Sequence, residues 1–375
     1  MQGLYIHIPF CRKACHYCDF HFSTSLKLKD QLLAALKNEI LLRKNYLPTP
    51  ALDTIYFGGG TPSLLSFGEL KDILDTVASV FEVQNGAEIT LEANPDDISA
   101  EKVTELKRAG VNRLSIGIQS FFEEDLAWMN RAHNAGQAAR CIDIALQSGI
   151  DNITADLIYG FPLLTDEKWE KNIQTMLESG INHLSAYSLT VEPRTALAAR
   201  IKKGADRPVE NEHAARQFVM LMDVMEQARW EHYEISNFCK PGNYARHNTN
   251  YWKNQPYIGI GPSAHSYNGK ARQWSVANNA GYIAALEKNT VPYEIEELTS
   301  GNTFNEYILT GLRTKWGINT DFINEKWGAD FLNSIQDDLR TFTRQGLITT
   351  EGTTITLTRN GKLVADYISS ELMAV

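Results

Sequence analysis

The chain has 375 residues, 43% of them hydrophobic and 22% charged, long enough to bury a large core and close in composition to ordinary globular proteins. No apolar run reaches the ~18 residues needed to cross a bilayer, and the start Met1-Gln2-Gly3-Leu4-Tyr5-Ile6-His7 lacks the basic leader and cleavage site of a secretory signal, so a cytoplasmic protein without a membrane span is expected. With 36 basic against 45 acidic residues the formal charge is −9, which argues against a nucleic-acid partner.

In chain order, the first strand candidate is Leu4–Ile8. Directly after it, three of the five cysteines fall within eight residues as Cys11-x-x-x-Cys15-x-x-Cys18, too tight for a disulfide framework. Three thiolates at this spacing suit three irons of a cubane and leave the fourth iron open to a small molecule. A zinc ion is the alternative, with His7, His16 or His21 as a fourth ligand. Cys141 and Cys239 have no such spacing and read as buried thiols.

Leu32, Leu33, Leu36, Ile40 and Leu41 recur at helical spacing in Lys29 to Lys44, and Phe67–Phe81 and Thr165–Ser179 behave alike. Between such runs lie the strand candidates Thr54–Phe57, Glu88–Glu92, Arg113–Ile118, Asn152–Ile158 and His183–Leu189, while Gly110, Gly149 and Gly180 stand where helices end. About six βα units predict an α/β fold, an open partial barrel with ligands at the carboxyl edge of its sheet. Glu92, Gln119 and Asp156 fall at or near strand ends and are aimed at one cavity.

From about Arg200 the βα rhythm fades, and Tyr233 to Tyr267, rich in Asn, Tyr, Trp and Gly, has the composition of ordered loops. After about Glu294, helical runs near Phe304–Arg313 and Phe331–Gln345 precede a hairpin turning at Glu351-Gly352, a winged-helix-like pattern. The expected division is a barrel over 1–200, a connecting or lid region over 201–293 and a winged-helix-like domain over 294–375.

Tyr5-Ile6-His7-Ile8-Pro9-Phe10-Cys11, the CxxxCxxC spacing and Tyr56-Phe57-Gly58-Gly59-Gly60-Thr61-Pro62 together resemble the radical S-adenosylmethionine (SAM) superfamily, in the branch that contains oxygen-independent coproporphyrinogen III oxidase and the related heme chaperone. The resemblance extends over essentially the whole chain. It implies a partial (β/α)6 radical SAM barrel, a 4Fe-4S cluster on Cys11, Cys15 and Cys18, and S-adenosylmethionine at the open iron, cleaved by one electron from the cluster to methionine and a 5′-deoxyadenosyl radical. Gly59 and Gly60 would admit the methionyl group closely, with the N–H groups beside them, Thr61 included, donating to its carboxylate. Tyr5 and Tyr17 would pack around nucleoside and cluster, Glu92 and Gln119 would contact the ligand, Asp156 would accept from the ribose and Arg131 would pair with a carboxylate.

Two positions bear on enzyme against carrier. In the oxidase branch a further cysteine follows the third by two residues, where this chain has Phe20. His247-Asn248-Thr249-Asn250-Tyr251-Trp252 resembles the HNxxYW motif of the chaperone branch; it makes His247 the first candidate heme ligand, with Tyr251 and Trp252 as flat faces for a porphyrin, and the nearby Tyr257-Ile258-Gly259-Ile260-Gly261-Pro262-Ser263-Ala264-His265-Ser266, which also resembles the family, makes His265 the second candidate. A histidine beside aromatic rings is also the usual setting of a hydrogen-bonded packing residue. The reading is therefore a heme chaperone that binds heme and passes it to acceptor proteins such as membrane-bound respiratory hemoproteins, with an electron donor as further partner. The alternatives are oxidative decarboxylation of a porphyrinogen and a zinc-stabilised binding protein.

Overall fold

The computed structural model describes residues 1–374. Strands β1 (Gly3–Ile8), β2 (Ala51–Gly59), β3 (Glu82–Ala93), β4 (Arg113–Gln119), β5 (Ile153–Tyr159) and β6 (His183–Ser188) lie side by side in sequence order, every neighbouring pair parallel. All six expected strands are present, extended by a few residues at most ends except in β3, which begins six residues early. Along β1 the period of two separates two faces. Leu4, Ile6 and Ile8 are fully buried in the core shared with Leu32, Leu36 and Ile40 of the helix Lys29–Leu42, whereas Tyr5 and His7 face inward. Helix ends follow the local chemistry: Ser66 and Glu69 form a capping box at the start of Phe67–Val80, and Gly110, Gly149 and Gly180 adopt positive φ just past three helices.

The expectation of loops over Tyr233 to Tyr267 is corrected. This stretch and its flanks form β7 (Glu231–Glu234), β8 (Asn237–Cys239), the helix Arg246–Trp252, β9 (Tyr257–Ile260), β10 (His265–Tyr267), β11 (Ala271–Ser275) and β12 (Tyr293–Glu297). They lengthen the sheet at both edges. β9 pairs parallel with β1, and β8 pairs antiparallel with β6, giving a 12-stranded sheet in the order β12-β11-β10-β9-β1-β2-β3-β4-β5-β6-β8-β7. The segment expected to be a connecting lid thus shares the barrel's own core through Phe218, Leu221, Phe238, Ile258 and Tyr282.

A second core gathers Phe304, Ile308, Leu312, Leu339, Phe342 and Ile355 around a small sheet of β13 (Ile318–Asn319), β14 (Ile348–Glu351) and β15 (Thr354–Leu357). Gly352, at φ 60°, turns the hairpin between β14 and β15. The run Phe331–Gln345 is divided into two helices, Ala329–Ser334 and Gln336–Arg344. Among the described residues no helix is long and apolar enough to cross a membrane.

Candidate functional site

The cysteine loop leaves the carboxyl end of β1 and is held on both sides. Cys11 N–H donates to Ser23 O at 3.0 Å, His16 N–H to Met129 O at 3.0 Å, and Asn130 Nδ2 to Ala14 O at 2.7 Å. Cys11, Cys15 and Cys18 are each half-buried, and burial pushes the Cys18 thiol up to about 11. Among the described residues no three His, Cys, Asp or Glu side chains converge closely enough to share one ion. Of the histidines weighed as a fourth zinc ligand, His7 has both nitrogens occupied, while His16 and His21 each use one, His16 Nδ1 2.8 Å from Trp128 O and His21 Nε2 2.7 Å from Asn279 Oδ1.

Arg131 joins this loop to the sheet. Its Nη1 reaches Cys15 Sγ at 3.4 Å and Tyr17 Oη at 3.3 Å, and its Nη2 donates to Asn94 Oδ1 and Gly117 O, both at 2.7 Å. Its Nε is buried without a partner. A Cβ on Gly117 would stand 2.9 Å from Gln119 Nε2 and 3.1 Å from Arg131 Nη2, so the bare backbone there makes room for both side chains. Gln119 itself closes β4 at φ 66°.

Glu92 and Asp156 meet on the inner face of the barrel. Tyr56 donates its hydroxyl to Glu92 Oε1 at 2.8 Å, and Gly59 N–H donates to Oε2 at 3.1 Å. Burial nevertheless raises Glu92 to about 7. Asp156, which accepts from Ser115 Oγ at 3.1 Å, is likewise raised to about 7 by burial and by the charge of Glu92. Tyr5 stacks beside Tyr56 at 6.1 Å between ring centroids and hydrogen-bonds His7. Tyr56, Asn94, Ser115 and Gly117 were missed in the sequence; the inward alternation of β2 and β4 is the signal that carries Tyr56, Ser115 and Gly117.

Two groups of expected site residues are packed against the protein itself. The first is Gly59 and Gly60: a Cβ on Gly59 would run into the His7 ring, and one on Gly60 would stand 2.6 to 2.8 Å from the backbone of Phe10 and Ile8. Their N–H groups are also taken, Gly59 by Glu92, Gly60 by Ile8 O at 2.9 Å, and Thr61 by Phe10 O at 2.7 Å. The second is His247. Its ring is only 2% exposed, with Nδ1 2.8 Å from Thr54 Oγ1 and Nε2 2.8 Å from Tyr251 Oη, and it stacks on Tyr56 at 5.1 Å. Burial lowers it to about 3. With both nitrogens occupied, His247 joins β2 to the helix Arg246–Trp252 in this structure. Glu88, unnoticed in the sequence, holds that helix by accepting from the N–H groups of Arg246 at 3.1 Å and His247 at 2.9 Å.

Tyr251 and Trp252, by contrast, line a cavity of about 530 Å³ that opens beside the cysteine loop and also meets Tyr5, Phe20 and His265. Phe20 is 69% exposed. The Trp252 Nε1 is buried without a partner, and Arg313 lies over its ring at 5.3 Å.

Fold and site together define a parallel partial barrel with a clustered-thiol loop and a ligand cavity at its carboxyl edge. The Radical SAM superfamily model matches residues 5–176, and the HemN C-terminal domain model matches 298–364. The chain is 36% identical to the heme chaperone HemW of Bacillus subtilis over 98% of both chains, and 34% identical to that of Mycobacterium tuberculosis H37Rv over 99% of this chain and 94% of the relative. Among solved structures, coproporphyrinogen III oxidase (HemN) from Escherichia coli superposes with a TM-score of 0.87 at 23% identity, covering 100% of this chain and 90% of that one. The chain belongs to the radical SAM superfamily, in the family of the heme chaperone HemW. That membership implies a 4Fe-4S cluster and S-adenosylmethionine.

Proposed function

We propose that this protein is a cytoplasmic heme carrier that holds a 4Fe-4S cluster on Cys11, Cys15 and Cys18, binds S-adenosylmethionine beside it, and hands heme to acceptor hemoproteins. The observation that carries the reading is the 530 Å³ cavity next to the cysteine loop, walled by aromatic side chains, in a chain related over nearly its whole length to proteins named heme chaperones. Its size suits a planar organic ligand, and Tyr251, Trp252 and Phe20 supply apolar surface for it.

When bound, the cluster and S-adenosylmethionine supply one-electron chemistry, with the electron drawn from an external donor. The chain's own residues position these groups. Arg131 steadies Cys15 and Tyr17 and keeps a free Nε for a carboxylate. Asp156, on the inner face, suits a ribose hydroxyl, and Glu92 an ammonium group; near pH 7 each carboxyl can accept or donate a hydrogen bond. Tyr5 lines the cavity, and Gln119 and Thr61 would be further contacts to S-adenosylmethionine. Gly59 and Gly60 act indirectly, by letting the turn after β2 pack on β1.

Phe20, where the oxidase branch carries a cysteine, favours the carrier over decarboxylation of a porphyrinogen. The test is anaerobic reconstitution with iron and sulfide, followed by parallel measurement of heme transfer to an apo-hemoprotein and of porphyrinogen decarboxylation with S-adenosylmethionine and a reductant. Transfer without decarboxylation is expected; decarboxylation without transfer overturns the proposal.

A further inference from the structure

Three imidazoles reach the cavity, and the structure distinguishes them by what their nitrogens already do. His7 has none to spare: Nδ1 lies 3.0 Å from Tyr5 Oη, and Nε2 lies 2.9 Å from the His21 carbonyl. His21 has its Nε2 on Asn279 Oδ1, which leaves only Nδ1, the nitrogen nearer its own backbone, without a partner. The ring of His265 makes no hydrogen bond at all, and the residue is exposed at the cavity wall.

The strand register explains what surrounds it. β10 and β11 pair antiparallel, with His265 opposite Trp274 and Tyr267 opposite Arg272. Residues two apart on a strand share a face, so these four side chains stand on one side of the hairpin. His265 and Trp274 lie 6.2 Å apart between ring centroids, and Arg272 sits over the Tyr267 ring at 4.8 Å. Arg272 is anchored through Nε to Glu306 and through Nη1 to Tyr257 Oη at 3.4 Å, and Nη2 makes no further hydrogen bond. The face thus offers an imidazole with both nitrogens free, a guanidinium with a donor to spare, and flat rings beside them.

We propose that His265 is the axial iron ligand of the heme carried in this cavity, with Arg272 facing a heme propionate. This rests on the heme-carrier reading above. The step is ligation alone: a nitrogen lone pair of the neutral ring forms a dative bond to iron, and no electron or proton is transferred. Partial burial and the positive charge of Arg272 both lower the His265 pKa, which keeps the ring in the neutral form that binds metal. A guanidinium pairs with a carboxylate through two parallel hydrogen bonds, the geometry a propionate can accept. Phe20 lines the same cavity and would offer its ring to the porphyrin.

The test is titration of the full-length, anaerobically purified protein with hemin, read by Soret absorption and electron paramagnetic resonance. His265→Ala is expected to weaken hemin binding at least ten-fold and to change the spin-state signature, with added imidazole restoring the wild-type spectrum. His265→Cys, which offers a thiolate, should move the Soret band while the cluster's iron and sulfide content stays unchanged. Arg272→Gln should lower affinity several-fold without altering the ligation spectrum. If His265→Ala and His265→Cys keep the wild-type spectrum and affinity, the ligand assignment is overturned while the carrier reading stands. If the wild-type protein takes up no hemin, the carrier reading falls and the assignment with it.

Discussion

The His247 ring is clasped between the hydroxyls of Thr54 and Tyr251, 2.8 Å from each, beneath the face of Tyr56. This bond pair ties the helix Arg246–Trp252 to the inner face of β2, so Tyr251 is held against the cavity by a group that does not itself reach it.

His247→Ala is accordingly expected to destabilise the protein by about 1–3 kcal/mol, because it leaves a void and strips two buried hydroxyls of their partner. The Soret signature of bound hemin should not change. Thermal denaturation checks the first statement and a hemin titration the second; loss of the iron ligand in this variant would restore His247 as the candidate.

Replacement of Cys11, Cys15 or Cys18 by Ala removes one thiolate from the cluster and should abolish its assembly. Iron and acid-labile sulfide determined after anaerobic reconstitution provide the check. Full content in all three variants would exclude the cluster from this loop, and zinc at full occupancy in the wild type would do the same.

Gly60→Ala should cost more than Gly117→Ala in stability. At Gly60 the new methyl meets the backbone of Phe10 and Ile8, which cannot turn aside, and overpacking of this kind costs about 1–3 kcal/mol. At Gly117 it meets only the ends of Gln119 and Arg131, which can move. The Gly117 variant should instead weaken S-adenosylmethionine binding, since Arg131 would lose its seat. Melting temperatures and equilibrium dialysis separate the two effects.

The pH dependence of stability follows from Glu92 and Asp156. Folding raises them from their ordinary 4.5 and 3.8 to about 7, so between these values the folded state binds protons that the unfolded chain has released. Their contribution is fully present below about pH 4 and is lost as pH rises through 7. The ligand-free protein should therefore melt lower at pH 8 than at pH 6, and Asp156→Asn should flatten that difference. An equal pH response in wild type and variant would contradict it.

The parallel strands were legible because each is long enough to show its pattern: Leu4, Ile6 and Ile8 repeat at two-residue spacing and Leu32, Leu36 and Ile40 at four-residue spacing. β8 and β10 are three residues long, and β9 finds its partner β1 some 250 residues earlier, so neither periodicity nor local pairing announces them. At the site, spacing revealed the cysteines and the glycine turn but not what fills the space next to each glycine. The fate of His247 was hidden for a related reason, since Thr54 lies 193 positions away in sequence. His265 was a second candidate in the sequence, but its neighbours Arg272 and Trp274 come from the cross-strand register, which the sequence does not display.

The carboxylate of Glu88 reaches across 158 and 159 positions of sequence to the first turn of the helix Arg246–Trp252. One wall of the cavity is thereby made conditional on β3: until that strand is in the sheet, the helix has no anchor for its leading amides. A nascent or partly unfolded chain would then present the Tyr251 and Trp252 rings without the opposing wall, and capture of a flat apolar cargo would be confined to the finished barrel.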